Sequence, residues 1–154
     1  MTGPAERLAE LGLTLPPVTA PAAAYVPAVR TGPYVYVSGQ VPVVDGKLSA
    51  TGKVGGEVSA ADAAGMARTC ALNALAAAAA IAGGLDRIRR IVKVTGFVAS
   101  APGFNGQPQV INGASELLID VFGEEGKHAR SAVGVAELPL NAPVEVELIA
   151  EVRD

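Results

Sequence analysis

The run HARSAVGVAELPLNAPVEVELIAEV, His128 to Val152, mixes strand-forming residues with charges spaced for chemistry. Arg130 opens it, and Glu145, Glu147 and Glu151 recur at alternate positions near its end. An unpaired charge inside a sheet costs on the order of several kcal/mol. These side chains therefore face water, a partner charge or a ligand. Alternation sets Ser131, Val133 and Val135 on one face, and Arg130, Ala132 and Gly134 on the other. In the last strand Val144, Val146, Leu148 and Ala150 share a face, opposite Glu145, Glu147, Ile149 and Glu151. The Val/Leu face is expected under helices and the Arg/Glu face on the sheet's far side. There Ala132 and Gly134 would floor a hollow beside Arg130, covered by another subunit. An ordinary salt bridge for Arg130 stays open.

The other reactive side chains carry less. His128, the only histidine, sits where a helix-to-strand loop ends and reads as polar surface. A Ser-His-Asp triad would need a better-placed partner. Cys70 lies in an Ala-rich helical run and reads as packing. The segment GKVGGEV lacks the GxxxxGK[ST] pattern of a phosphate loop. No ligand spacing suggests a metal, and none is expected.

Several elements must position these groups. Ala5 to Leu11 reads as a short helix, followed by a proline-punctuated extended stretch. Tyr34 to Val37 is a strand, and Asp45-Gly46 suits a tight hairpin turn. Ser59 is a good N-cap for a helix from about Ala60 to Ala82, ended by Gly83-Gly84. Ile88 to Val98 is a strand, Asn105 to Pro108 a turn, and Val110 to Phe122 an amphipathic helix stopped by Gly123. Strands over Arg130 to Ala136 and Val144 to Val152 close the chain. The order predicts an α+β sandwich, one mixed sheet backed by two helices, as one domain over residues 1–154. Residues 1–22 form its helical and extended lead-in.

Bulk properties narrow the class. Half of the 154 residues are hydrophobic but only 4% aromatic, so the core is aliphatic. A net charge of −3 without a basic block argues against tracking nucleic-acid phosphates. Glu6 and Glu10 sit where a secretory signal needs an apolar core. The apolar run Ala71 to Ile81 is shorter than the roughly 20 residues of a membrane span. The expectation is a cytoplasmic protein with no membrane attachment.

The segments YVPAVRTGPYVYVSGQVP and ARSAVGVAELP…VEVE together resemble the RidA/YjgF/UK114 family of reactive-intermediate imine deaminases, over roughly Tyr25 to Val152. The resemblance implies the chorismate-mutase-like fold, a homotrimer, and cofactor-free ligand sites in clefts between subunits. It implies that Arg130 binds a substrate carboxylate and that Glu145 orients or activates water. It also implies that Tyr25, Ser38, Gly39, Asn112 and Ala132 line the cleft. Ala132 stands where characterised deaminases commonly carry Cys, and the segment from Val43 to Val58 exceeds the short family form. The implied activity is hydrolysis of small 2-imino or 2-enamino acids. A non-catalytic small-carboxylate binder is the alternative, with ribonuclease or chorismate-mutase-like chemistry further behind.

Overall fold

The structure, a computed structural model, describes residues 2–18 and 23–154. The middle of the extended lead-in, residues 19–22, lies outside the described residues. Helix α1 spans Pro4–Glu10 and is followed by β1 (Ala28–Thr31) and β2 (Tyr34–Gln40). A small hairpin comes next, β3 (Val43–Val44) and β4 (Lys47–Leu48), and then α2 (Ala60–Ala82). The rest comprises β5 (Ile88–Ala99), α3 (Gln107–Phe122), β6 (Ala129–Val135) and β7 (Val144–Val152). Five strands form one mixed sheet in the order β1-β2-β7-β5-β6, with β5 and β6 parallel and the other pairs antiparallel. The α+β sandwich is as the sequence predicts, with α1 as a third helix packed against α3.

Local chemistry explains the boundaries. Ser59 accepts a hydrogen bond from the Asp62 backbone N–H at 3.1 Å and so caps α2. Gly83 ends α2 in the left-handed region at φ 93°. Asp45 and Gly46 both have positive φ, 51° and 80°, as a type I′ hairpin turn requires. Most element ends lie within a residue of the sequence reading, but β2 runs on to Gln40, and two further departures have local causes. Helix α3 begins at Gln107 rather than Val110, because Pro108 in its first turn gives up only an N–H that would be orphaned anyway. Strand β1 was hidden in the proline-rich lead-in; it pairs with β2 through the turn at Gly32-Pro33.

The core lies between the sheet and helices α2 and α3. Val144, Val146, Leu148, Ala150 and Val152 of β7 are buried beneath the helices, while the intervening Glu145, Glu147, Ile149 and Glu151 are half-buried on the opposite face. Each fully buried Val or Leu contributes about 1.5–3 kcal/mol. Helix α2, Ala60–Ala82 as the sequence predicts, is long and apolar enough by length and composition to cross a bilayer, but its buried alanines pack it as the core helix. Its alanines let α3 approach closely: a Cβ on Gly113 would overlap the Ala64 carbonyl.

Candidate active site

Strand register decides where Arg130 points. Val94 of β5 is buried against the helices, and it pairs with both Leu148 and Arg130. Arg130, Ala132 and Gly134 therefore face the helices, and Ser131 and Val133 face away. This reverses the face expected for Arg130. The parallel β5–β6 pairing puts Arg130 in line with Val94, a relation that alternation within one strand cannot reveal. The expected hollow is filled as well. Gly96, beside Ala132, accommodates the Ile111 side chain, and Gly134 accommodates Gln107 and Ser100. The small residues bring α3 close to the sheet rather than flooring a cavity.

Arg130 sits on the edge strand β6, braced from α3. Its Nη1 donates to Asn112 Oδ1 at 2.8 Å and to Ser115 Oγ at 3.2 Å. Nη2 makes only a long 3.5 Å approach to the Pro108 carbonyl. Among the described residues no carboxylate pairs with it, so the ordinary salt-bridge reading fails. The Nε–Nη2 edge of the guanidinium remains the natural docking fork for a carboxylate. Ala132 follows on the same face, half-buried beside the core.

Behind Arg130 stand two side chains that the sequence reading did not place. Ser115 is buried, and its Oγ lies 2.8 Å from His128 Nε2. His128 Nδ1 lies 2.7 Å from the Gly126 carbonyl oxygen. His128 is thus half-buried and bonded at both nitrogens, not the free polar surface expected of a lone loop histidine. Burial lowers its pKa, the Gly126 bond opposes that, and the Arg130 charge lowers it further. The signal was present in the sequence. Asn112 and Ser115 are three apart on one helix face, and His128 and Arg130 are two apart where the chain enters β6.

Glu145 lies elsewhere. It pairs with Phe97 on the face away from the helices, so the sheet itself separates it from Arg130 of the same chain. Its Oε1 would stand 2.5 Å from a Cβ on Gly39. The β2–β7 register shifts between Val37 and Gln40, and this irregularity lets the bare backbone of Gly39 lie under the carboxylate. Burial, and then the neighbouring Glu147 carboxylate, raise the pKa of Glu145 above the ordinary carboxylate value. The Ser38 hydroxyl donates to the Val26 carbonyl at 2.7 Å, which holds the lead-in against β2. Tyr25, 56% exposed, borders a cavity of about 730 Å³ together with Gly39, Gln40, Leu72 and Asn73. The residues singled out from the sequence therefore fall into two separate groups: Arg130, Asn112 and Ala132 at the β6 edge, and Glu145, Gly39, Ser38 and Tyr25 around β2 and β7.

A mixed sheet of this order, backed by α2 and α3, with an arginine on the parallel edge strand, defines the YjgF/chorismate-mutase-like class. The chain belongs to that family: the family model described as "YjgF/chorismate_mutase-like, putative endoribonuclease" matches residues 5–152. Protein TCP17 of Trypanosoma cruzi is 45% identical over 151 residues, covering 97% of this chain and 94% of that protein. The crystal structure of Atu1372 from Agrobacterium tumefaciens, of unknown function, is 50% identical with a TM-score of 0.87, covering 96% of this chain and 90% of that one. E. coli TdcF, solved with bound serine, is 29% identical with a TM-score of 0.62, covering 89% of this chain and 94% of that one.

Proposed function

We propose that the protein hydrolyses small 2-imino or 2-enamino acids, without a cofactor, in clefts between the subunits of a homotrimer. The observation that carries this reading is the guanidinium of Arg130, braced through Nη1 by Asn112 and Ser115, free of a carboxylate partner among the described residues, with Nη2 making only a long approach to the Pro108 carbonyl. Its chemistry matches a ligand carboxylate, and serine bound to TdcF offers a carboxylate of that kind. The exposed face of the sheet carries Tyr34, Tyr36 and Val133, a surface that a second copy would cover. Such a copy is also what would carry a Glu145 to the Arg130 edge.

In that cleft the substrate carboxylate docks on Arg130, which holds the adjacent imine carbon in a fixed place. Glu145 takes a proton from water as the oxygen bonds to that carbon. Glu145 returns that proton to the nitrogen to complete the carbinolamine, whose hydroxyl proton then passes to the nitrogen as the C–N bond breaks, releasing ammonia and a 2-oxo acid. The raised pKa of Glu145 brings its proton exchange closer to neutral pH, as an acid–base role needs. The test is ammonia release from an imine generated in situ by an amino-acid oxidase, at a rate above the oxidase alone.

One observation favours a second reading. Ala132 puts a methyl group where a thiol commonly stands in characterised deaminases, so the same pocket would serve a non-catalytic carboxylate binder. Binding of a 2-oxo acid without acceleration of ammonia release would establish that alternative. The acidic charge balance gives a ribonuclease reading little to hold phosphates with.

A further inference from the structure

The polar contacts behind Arg130 form a chain whose direction is fixed at one end. A backbone carbonyl only accepts, so the 2.7 Å contact to Gly126 requires the proton on His128 Nδ1. In the neutral ring Nε2 is then an acceptor, and the 2.8 Å contact requires Ser115 to donate to it. With its hydrogen committed, Ser115 Oγ presents only lone pairs to Arg130 Nη1. Asn112 Oδ1 accepts the second Nη1 contact. Both of these anchors sit on Nη1, which leaves Nη2 with only its long contact to the Pro108 carbonyl.

We propose that Ser115 and His128 are positioning residues that hold the Arg130 guanidinium in its carboxylate-binding orientation, through a one-directional hydrogen-bond chain that couples ligand binding to the proton on His128. This rests on the reading of Arg130 as the carboxylate site. The buried Ser115 hydroxyl and half-buried ring place the chain where water competes poorly. Protonating His128 makes Nε2 a donor; Ser115 Oγ then accepts from both Nε2 and Nη1 through its two lone pairs, so Arg130 stays held while a second cation joins the cluster. An anion on Arg130 offsets that cationic charge and favours the protonated ring. By reciprocity, the ligand binds more tightly as His128 gains its proton.

The charged groups on the surrounding elements are few. Glu124 pairs with Lys127, and Glu125 pairs with Arg90 of β5. Arg89 and Lys93 on β5 and Glu116 and Asp120 on α3 are the other charged residues of these elements. Arg130 is the one whose charge shifts His128.

The experiment uses 2-oxobutyrate, a stable acid of the product class, titrated calorimetrically into the full-length protein between pH 5 and 8. Because His128 is the only histidine, its imidazole C–H resonances report one titration. In the wild type, saturating 2-oxobutyrate is expected to move that midpoint upward, and Kd to fall as pH falls through it. Ser115→Ala is expected to weaken binding about fivefold, the scale of one lost hydrogen bond. His128→Gln, which keeps an acceptor for Ser115 but cannot titrate, is expected to bind more tightly than Ser115→Ala at pH 8 and to abolish the pH dependence. An Arg130-dependent Kd that neither variant changes, or a midpoint indifferent to ligand, overturns the positioning pair alone. Equal binding by wild type and Arg130→Ala overturns the Arg130 reading and the pair with it.

Discussion

The carboxylate of Glu145 stands over the bare backbone of Gly39: a Cβ there would lie 2.5 Å from Oε1 and 2.8 Å from Cδ. The obstruction would come from the end of a flexible side chain, so the fold can survive a methyl group while the carboxylate cannot keep its place. Gly39→Ala should therefore leave the circular dichroism spectrum and melting temperature nearly unchanged and cut imine turnover at least about tenfold, the usual scale for a displaced acid–base group. Turnover equal to wild type would free Glu145 of any role that depends on its position.

Glu145→Gln should lower activity and raise stability at the same time. Burial and Glu147 lift the folded-state pKa of Glu145 above 4.5, so the folded protein favours the neutral carboxyl. The stability linked to this group is fully present below that ordinary value and is lost as pH rises through the raised one. A permanently neutral Gln avoids the loss. Urea unfolding at pH 7.5 should show the variant more stable than wild type, and the gap should close toward pH 4. A gap independent of pH would mean that ionisation is not its origin.

Arg130→Ala should reduce turnover of 2-imino acids by at least about tenfold, since hydrogen bonds to charged groups contribute ~1.5–3 kcal/mol each. Arg130→Lys should recover little, because an ammonium cannot present the planar fork. Light scattering on the same preparations should give the wild-type mass. An intact assembly with full activity would remove Arg130 from the site.

Cys70 should be dispensable for catalysis. It is fully buried on α2, its Sγ 3.8 Å from the Val144 carbonyl, and burial together with the Glu145 charge raises its pKa well above the ordinary thiol value. Native protein should react with a thiol reagent only as fast as it opens. Cys70→Ala should keep full turnover, at a stability cost of about 1 kcal/mol for the lost packing.

Patterns local in sequence were legible, and those set by pairing between distant strands were not. Ser59 and the double glycine bounded α2 from sequence, because caps act within a few residues. The alternation of β7 correctly separated Val144 and Val146 from Glu145 and Glu147. Arg130 was assigned to the wrong face because its side is set by register against Val94, 36 positions earlier in the chain, which β6 alone does not encode. The Ala132–Gly134 pair read as an empty floor because Ile111 and Gln107, which occupy that space, come from α3. His128 read as surface because its partner Ser115 lies on another element.

The sheet that divides Arg130 from Glu145 has a genetic consequence. If every pocket draws its arginine from one copy and its glutamate from the next, neither lesion is confined to its own polypeptide. Subunits carrying Arg130→Ala and subunits carrying Glu145→Gln, each impaired alone, would regain activity on being unfolded and reassembled together, since some junctions would then join an intact arginine to an intact glutamate. One doubly substituted chain assembled with two wild-type chains would instead spoil two of the three junctions. Inheritance of the two defects would follow the junction rather than the gene product.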